Sequence, residues 1–158
     1  VRDESGKFLL IRRNKAPNFG LWSPIGGKLE MAEGESPFEC AIRETREEIG
    51  LELSEPDLRM FAMISEKSYE GGTHWLMFLF DVKKRIRALP EDISEGRFGL
   101  FGADEIENLD IPETDRVLLW GVWKKYSQNG FAAMRAECGN GVRAAIEQAE
   151  TFGKSLKI

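Results

Sequence analysis

Short apolar runs bounded by turn residues predict that this chain contains several strands. A turn at residues 4–6 precedes the first run, and Gly71-Gly72 between the third and fourth runs favours a hairpin. The predicted strands cover residues 7–13, 22–25, 58–64, 73–82 and 97–101.

The most strongly signalled helix begins after Ser36. Ser36 is expected to cap its N-terminus, Pro37 suits the first helical position, and Glu39 completes a capping box. Gly50 is expected to end the helix as the glycine after its last turn. A brief helix is predicted at residues 103–109. A longer one is predicted at residues 112–126, with a buried side drawn from Val117, Leu118, Trp120, Gly121 and Trp123.

The C-terminal region allows two interpretations. Segments 131–137 and 142–147 flank Gly139-Asn140-Gly141, which favours a hairpin, although their Ala and Glu content also suits two short helices. The mixture of strands and helices predicts an α/β fold in a single domain over residues 1–158. The chain opens at Val1, inside what reads as a strand–turn–strand unit, so a further strand upstream is compatible with the pattern.

Composition narrows the possible functions. The formal net charge of −5 argues against a nucleic-acid polymer as partner, because such binding depends on clustered Lys and Arg. The longest apolar stretch, residues 75–80, is far shorter than the roughly 20 residues that span a bilayer, so no membrane partner is expected. Cys40 and Cys138 show neither metal-ligand spacing nor a disulfide framework, which favours a reducing cytoplasm.

The helix after Ser36 places its acids on one side. Its apolar stripe is Phe38, Ala41, Ile42, Thr45 and Ile49, whereas Glu44, Glu47 and Glu48 lie together on another face. Like charges at this spacing destabilise a helix, so a bound cation is the physical reason for the pattern, and Mg²⁺ prefers such oxygen ligands. Taken alone, such a run of charges is more often a solvated helix surface than a metal site.

Residues 43–51, RETREEIGL, resemble the C-terminal half of the Nudix box, and Glu35 matches the earlier glutamate of that motif. The segment departs from the family pattern in two ways. The loop between Gly27 and Glu35 is two residues longer, with the insertion at residues 31–34, and Thr45 stands where the family has an aliphatic residue. The resemblance implies a Nudix-type α/β/α sandwich with a mixed β-sheet.

The resemblance also implies roles for individual residues. Glu47 and Glu48 are the expected metal ligands, with Glu44 as a further ligand or as the base, and the Gly27 carbonyl as another metal contact. Arg43 is expected to orient the glutamates, and Glu35 to join the loop to the helix or to reach a metal through water. A further catalytic carboxylate is expected from Glu91, Asp92 or Glu95, of which Glu95 is preferred. Arg12, Trp22, Gly26 and His74 are the expected substrate-binding residues.

The implied activity is Mg²⁺-dependent hydrolysis of a diphosphate bond in a nucleoside diphosphate derivative, with Mn²⁺ as an alternative ion. Gly20-Leu21-Trp22 is similar to family members that cleave nucleoside triphosphates, so a triphosphate pyrophosphohydrolase acting as monomer or homodimer is the preferred interpretation. An ADP-ribose or nucleotide-sugar pyrophosphatase is the alternative within the family. A silent nucleotide-binding sensor and an interaction protein with a merely charged helix are the alternatives outside catalysis.

Overall fold

The computed structural model describes residues 1–152 and divides into two compact units. The first unit comprises Val1–Leu58 and Val82–Pro112, and the second comprises Arg59–Asp81 together with the chain from Glu113 onward. Each unit combines a mixed β-sheet with helical elements, which confirms the predicted α/β class. The prediction of one domain over residues 1–158 stays a prediction.

The strands and helices follow one another in mixed order. In chain order they are β1 (Arg2–Asp3), β2 (Phe8–Arg13), β3 (Trp22–Pro24), α1 (Pro37–Ile49), β4 (Leu58–Tyr69), β5 (Thr73–Val82), β6 (Arg85–Ile86), β7 (Gly96–Phe101), α2 (Trp120–Tyr126), β8 (Gly130–Glu137) and β9 (Arg143–Thr151). Short 3₁₀ turns lie at Met31–Glu33, Glu55–Asp57 and Ile106–Asn108. The last of these falls within the brief helix predicted at 103–109.

The sheet of the first unit is organised around β2. Its strand order is β3-β2-β1-β6, and β7 pairs antiparallel with β2 along its whole length, from Phe8 opposite Phe101 to Arg13 opposite Gly96. Residues 8–11 are all buried, as expected for a continuous apolar run that is covered on both faces. Leu9 and Ile11 form a core cluster with Ile86 and Phe98.

Helix α1 has the ends that its sequence predicts. The Ser36 side chain accepts from the Glu39 N–H, and the Glu39 carboxylate accepts from the Ser36 N–H, so the capping box is complete. Gly50 has a φ of 66°, a left-handed conformation that favours glycine, and its N–H donates to the Arg46 carbonyl. These two caps fix which residues of α1 face each direction.

The sheet of the second unit has the order β5-β4-β8-β9. Strand β4 runs parallel to β8, with Ala62 opposite Ala132, and β8 and β9 form an antiparallel pair. The hairpin interpretation of the C-terminal region is therefore confirmed, as is the adjacency of β4 and β5. Buried residues of β4 and β8 pack with three residues of the helical segment that precedes β8, Leu118, Val122 and Tyr126.

The helix predicted over 112–126 contains a π turn, Asp115–Leu119, immediately before α2. This turn changes the buried side. Val117 is 53% exposed and Gly121 is also exposed, so the prediction that both are buried is wrong. The i→i+5 bonding of a π turn moves side chains away from the 3.6-residue period on which the prediction rests. Leu118 is buried as predicted, and Leu119 and Val122 are buried with it. Within residues 1–152, no helix is long and apolar enough to cross a membrane.

Candidate active site

Arg43, on the second turn of α1, gathers the acids predicted for the site. Its Nη1 lies 2.7 Å from Oε1 of Glu44 and 3.2 Å from Oε2 of Glu47, one helical turn further on. Its Nη2 donates to the Lys28 carbonyl at 3.1 Å. The Arg43 side chain is 19% exposed, and these ion pairs hold its pKa well above the usual range of a guanidinium. Arg43 therefore forms ion pairs with Glu44 and Glu47, and its role in orienting the glutamates stays a prediction.

Glu35 joins the loop that precedes α1 to the helix itself. Nε and Nη2 of Arg43 donate to its two carboxylate oxygens at 2.7 and 3.0 Å, in a bidentate pair. The backbone N–H of Glu30 donates to the same carboxylate at 2.8 Å, which closes the loop containing the Met31–Glu33 turn. Hydrogen bonding to Arg43, then to Glu30, lowers the pKa of Glu35 to about 2. Glu35 is thus ionised and fixed at any physiological pH.

Gly26 and Gly27 are glycines for two different reasons. Gly26 has a φ of 147°, a conformation that favours glycine, and its N–H donates to Oε2 of Glu48 at 3.2 Å. At Gly27 the space is already taken, because an added Cβ would lie 2.0 Å from Cδ of Glu44. The backbone at Gly27 therefore lies directly against the Glu44 carboxylate, and the role of the Gly27 carbonyl as a metal contact stays a prediction.

Glu48 has a raised pKa, in contrast to Glu35. Burial, then the negative charges of Glu44 and Glu95, raise its pKa to about 7, while the Gly26 N–H and Arg13 act in the opposite direction. A carboxylate that other acids face without full compensation is a place where a cation is favoured. Glu95 is distant from α1 in sequence, but the fold brings it close enough for its charge to act on Glu48.

Glu91, Asp92 and Glu95 are the candidates for the additional acid. Among the contacts of the described residues, those of Glu95 alone connect it with the acids of α1. Asp92 instead accepts from the Phe98 N–H at 2.9 Å, which is a structural turn contact, and Glu91 is exposed. Nη2 of Arg13 lies 3.5 Å from Oε2 of Glu95. Arg13 is absent from the predicted site. The only signal for it is its position at the end of β2, next to the predicted Arg12.

The donor set fits a hard divalent cation. Glu44, Glu47, Glu48 and Glu95 supply only oxygen, the ligand atom that Mg²⁺ prefers. Within residues 1–152, no three His, Cys, Asp or Glu side chains are already arranged as a metal-binding group. Arg43 accounts for part of this, because it holds Glu44 and Glu47, and the Glu47 side chain is 54% exposed.

The predicted substrate-binding residues do not share one environment. Arg12 donates from Nε to the Gly20 carbonyl at 2.9 Å, within the β2–β3 connection. The Trp22 ring packs edge-on against Phe101 with centroids 4.7 Å apart, and the Arg97 guanidinium lies 5.8 Å from its centre. His74 belongs to the second unit, where its Nδ1 accepts from the Ser68 N–H at 3.1 Å beside the β4–β5 turn.

A second pair of acids lies in the second unit and is absent from the predicted site. Glu66 on β4 is 4% exposed, and its Oε1 has no hydrogen-bond partner within residues 1–152. Asp115, at the start of the π turn, is 9% exposed, and burial followed by the charge of Glu66 raises its pKa to about 7. Burial also raises the pKa of Glu66, against a hydrogen bond from Thr114. At least one carboxyl of this pair is therefore expected to be protonated at neutral pH.

Comparison with known proteins finds a family model and a relative that each match most of the chain. The family model described as NUDIX domain matches residues 1–120. An uncharacterized Nudix hydrolase, YvcI of Bacillus subtilis (strain 168), is 31% identical over 120 residues, which are 75% of this chain and 73% of YvcI.

Two solved structures are similar in fold. The mutator MutT protein from Bacillus halodurans superposes with a TM-score of 0.68 and 21% identity, covering 89% of this chain and 90% of that one. The NUDIX domain of Shewanella oneidensis NrtR, crystallised with ADP ribose, gives a TM-score of 0.61 and 17% identity, covering 75% and 76%.

Proposed function

This chain belongs to the Nudix hydrolase family, and from that membership we propose that it is an Mg²⁺-dependent pyrophosphohydrolase whose substrate is a nucleoside triphosphate. The observation that supports the proposal is the half-buried Glu48, which faces Glu44 and Glu95 with incomplete charge compensation. A cation bound to Glu48 would relieve its repulsion by the carboxylates of Glu44 and Glu95.

Glu44, Glu47 and Glu48 would hold the metal, together with the Gly27 carbonyl and with Glu95 as the additional acid. The chemistry that Mg²⁺ supplies when bound is neutralisation of the diphosphate oxygens and a lower pKa of an attacking water. Arg43 fixes the direction of the Glu44 and Glu47 carboxylates, and Glu35 in turn fixes Arg43. Glu44 is the proposed general base, because its carboxylate lies against the Gly27 backbone and its charge acts on Glu48.

The triphosphate preference rests on the Gly20-Leu21-Trp22 segment, which leads through β3 to Gly26-Gly27. The ADP-ribose complex of the NrtR domain favours a second candidate, an ADP-ribose pyrophosphatase or a silent ADP-ribose-binding domain. The two readings share the acidic site and differ in the group attached to the diphosphate.

A panel of nucleoside triphosphates, ADP-ribose and nucleotide sugars, assayed with Mg²⁺ or EDTA and coupled to pyrophosphatase and phosphatase, tests the proposal. We expect Mg²⁺-dependent release of diphosphate from a triphosphate. Glu48→Gln should lower kcat/KM on the order of 100-fold or more, whereas the matched exposed acid variant Glu52→Gln should keep wild-type activity.

Other outcomes would select another function. Turnover of ADP-ribose with no turnover of triphosphates would favour the second candidate. Nucleotide binding without any product would favour the silent domain. Equal activity in Mg²⁺ and EDTA would contradict the proposed mechanism.

A further inference from the structure

Arg13 is the cation that faces the acids which Arg43 does not contact. Its Nη2 lies 3.5 Å from Oε2 of Glu95, with 18% of the Arg13 side chain and 46% of the Glu95 side chain exposed. Its Nε donates to the Pro17 carbonyl at 3.1 Å, so the guanidinium is held at two points. The same guanidinium favours the ionised form of Glu48. Arg13 therefore forms an ion pair with Glu95 and also acts electrostatically on Glu48.

The backbone keeps Arg13 and Glu95 together. Arg13 on β2 is the direct partner of Gly96 on β7, which follows Glu95. An added Cβ at Gly96 would lie 2.3 Å from the Arg12 carbonyl oxygen, so the two strands approach as closely as a glycine allows. The Asn14 N–H donates to the Glu95 carbonyl at 2.9 Å, and Nδ2 of Asn14 donates to the Ser94 carbonyl. Separation of this ion pair therefore requires side-chain rotation rather than backbone motion.

The charges in this part of the site do not balance. Glu44, Glu48 and Glu95 bring three carboxyl groups to this part of the site, and Arg13 contacts Glu95 at 3.5 Å and acts electrostatically on Glu48. A divalent cation and the guanidinium would compete for the same carboxylate oxygens. We propose that Arg13 is an internal competitor of the metal, which occupies Glu95 as counter-ion before metal binding and thereby sets the metal affinity of the site. This inference rests on the proposed function, because it requires that the acids bind a divalent cation.

A purely structural role for Arg13 makes a different prediction. If Arg13 only braces the loop through the Pro17 carbonyl, then its removal loosens the site and weakens metal binding. If it competes with the metal, then removal of its charge strengthens metal binding, and a lysine retains the competition. The sign of the change in affinity separates the two roles.

Mn²⁺ affinity of the folded, full chain, measured by electron paramagnetic resonance at about pH 8.5, tests the inference. At that pH Glu48, with a pKa of about 7, is largely ionised, so proton competition is small. We expect Arg13→Gln to lower the Kd for Mn²⁺ about three- to five-fold, the size typical of a partly exposed ion pair. Arg13→Lys should stay near the wild-type value, and Lys15→Gln controls for the loss of one nearby positive charge.

The background variant Glu95→Gln localises the effect. In that background, Arg13→Gln should change the Kd by less than half as much, because the contested carboxylate is gone. An unchanged or raised Kd in Arg13→Gln, or the same decrease in both backgrounds, would overturn the inference while the metal site itself stands. Failure of the wild-type chain to bind Mn²⁺ would overturn the proposed function as well.

A measurement without substitution guards against misfolded variants. Titration of the wild-type chain with Mg²⁺ should shift the Arg13 side-chain nitrogen resonances as the Glu95 contact is released. The Arg12 Nε resonance, whose partner is the Gly20 carbonyl, should move less. Equal movement of the two arginines would count against the competition.

Discussion

The carboxylate of Glu44 occupies the position in which a side chain of Gly27 would have to lie, 2.0 Å from the Cβ that an alanine would add. Gly27 has no left-handed backbone conformation, in contrast to Gly26 at a φ of 147°. The two neighbouring glycines therefore report on different properties. Gly27 controls the position of a site acid, and Gly26 controls the backbone.

Gly27→Ala should displace Glu44 and weaken Mn²⁺ binding on the order of ten-fold, with little loss of stability, because a flexible carboxylate can rotate away. Gly26→Ala should instead lower the free energy of unfolding by roughly 1–3 kcal/mol, because alanine is strained at that φ. Urea unfolding and Mn²⁺ titration of both variants measure the two effects. If both variants lose stability equally and bind Mn²⁺ equally, then the distinction is wrong.

Arg43→Gln should destabilise the chain at neutral pH and much less in acid. The pKa of Glu35 is lowered to about 2 from 4.5, so its ion pair with Arg43 contributes stability above about pH 4.5 and loses it as the pH falls through 2. The difference in Tm between wild type and Arg43→Gln should therefore narrow from pH 6 toward about pH 2.5. Glu35→Gln is the matched partner variant. The difference in Tm between wild type and Glu35→Gln should narrow over the same pH range. A difference that does not depend on pH would contradict the ion pair.

Metal binding should weaken below neutral pH, because the pKa of Glu48 is raised to about 7 by burial and by Glu44 and Glu95. A proton on Glu48 must leave before the carboxylate can bind a cation, so the apparent affinity should fall toward about ten-fold per pH unit below that pKa. Calorimetry of Mn²⁺ binding at about pH 6.5 in two buffers of different ionisation enthalpy should report proton release. Glu48→Gln should abolish that proton release. A wild-type affinity for Mn²⁺ that is constant down to about pH 5.5 would contradict the predicted competition between the proton and the metal at Glu48.

Asp115→Asn should stabilise the second unit at high pH. Burial raises the pKa of Asp115 from 3.8 to about 7, so the native state keeps a proton that the unfolded state loses. The wild type therefore loses stability as the pH rises from about 4 through 7, and the variant escapes that loss. Calorimetric Tm values should show a gap in favour of the variant that widens over this window and stays constant above it. Glu113→Gln, an exposed neighbour, should show a gap that does not vary with pH.

The local parts of the fold could be predicted from sequence. Ser36, Glu39 and Gly50 define both ends of α1 because capping depends on contacts between residues a few positions apart. The same is true of the β8–β9 hairpin, where Gly139-Asn140-Gly141 marks the turn. Within the candidate site, the residues on α1 and the Gly26-Gly27 pair follow from one continuous motif, and the structure places them together.

The long-range parts could not be predicted. The parallel pairing of β4 with β8, and the division into two mixed sheets, depend on contacts across most of the chain that no local pattern encodes. Arg13 and Glu95 meet only because β2 and β7 pair, and Glu66 and Asp115 meet only because a helix covers the sheet of the second unit. The exposure of Val117 depends on a π turn, for which the sequence offers no periodic signal.

The guanidinium of Arg43 has five N–H groups, and five oxygen contacts account for them: two on Glu35, one each on Glu44 and Glu47, and one on the Lys28 carbonyl. No hydrogen is left over for a phosphate. Arg43 cannot donate to a substrate unless it gives up one of these five acceptors, so we expect anion recognition to fall to other cations of the chain. Lysine, with three hydrogens on one nitrogen, cannot reproduce this planar set, and even that conservative exchange would leave carboxylate oxygens of α1 without donors.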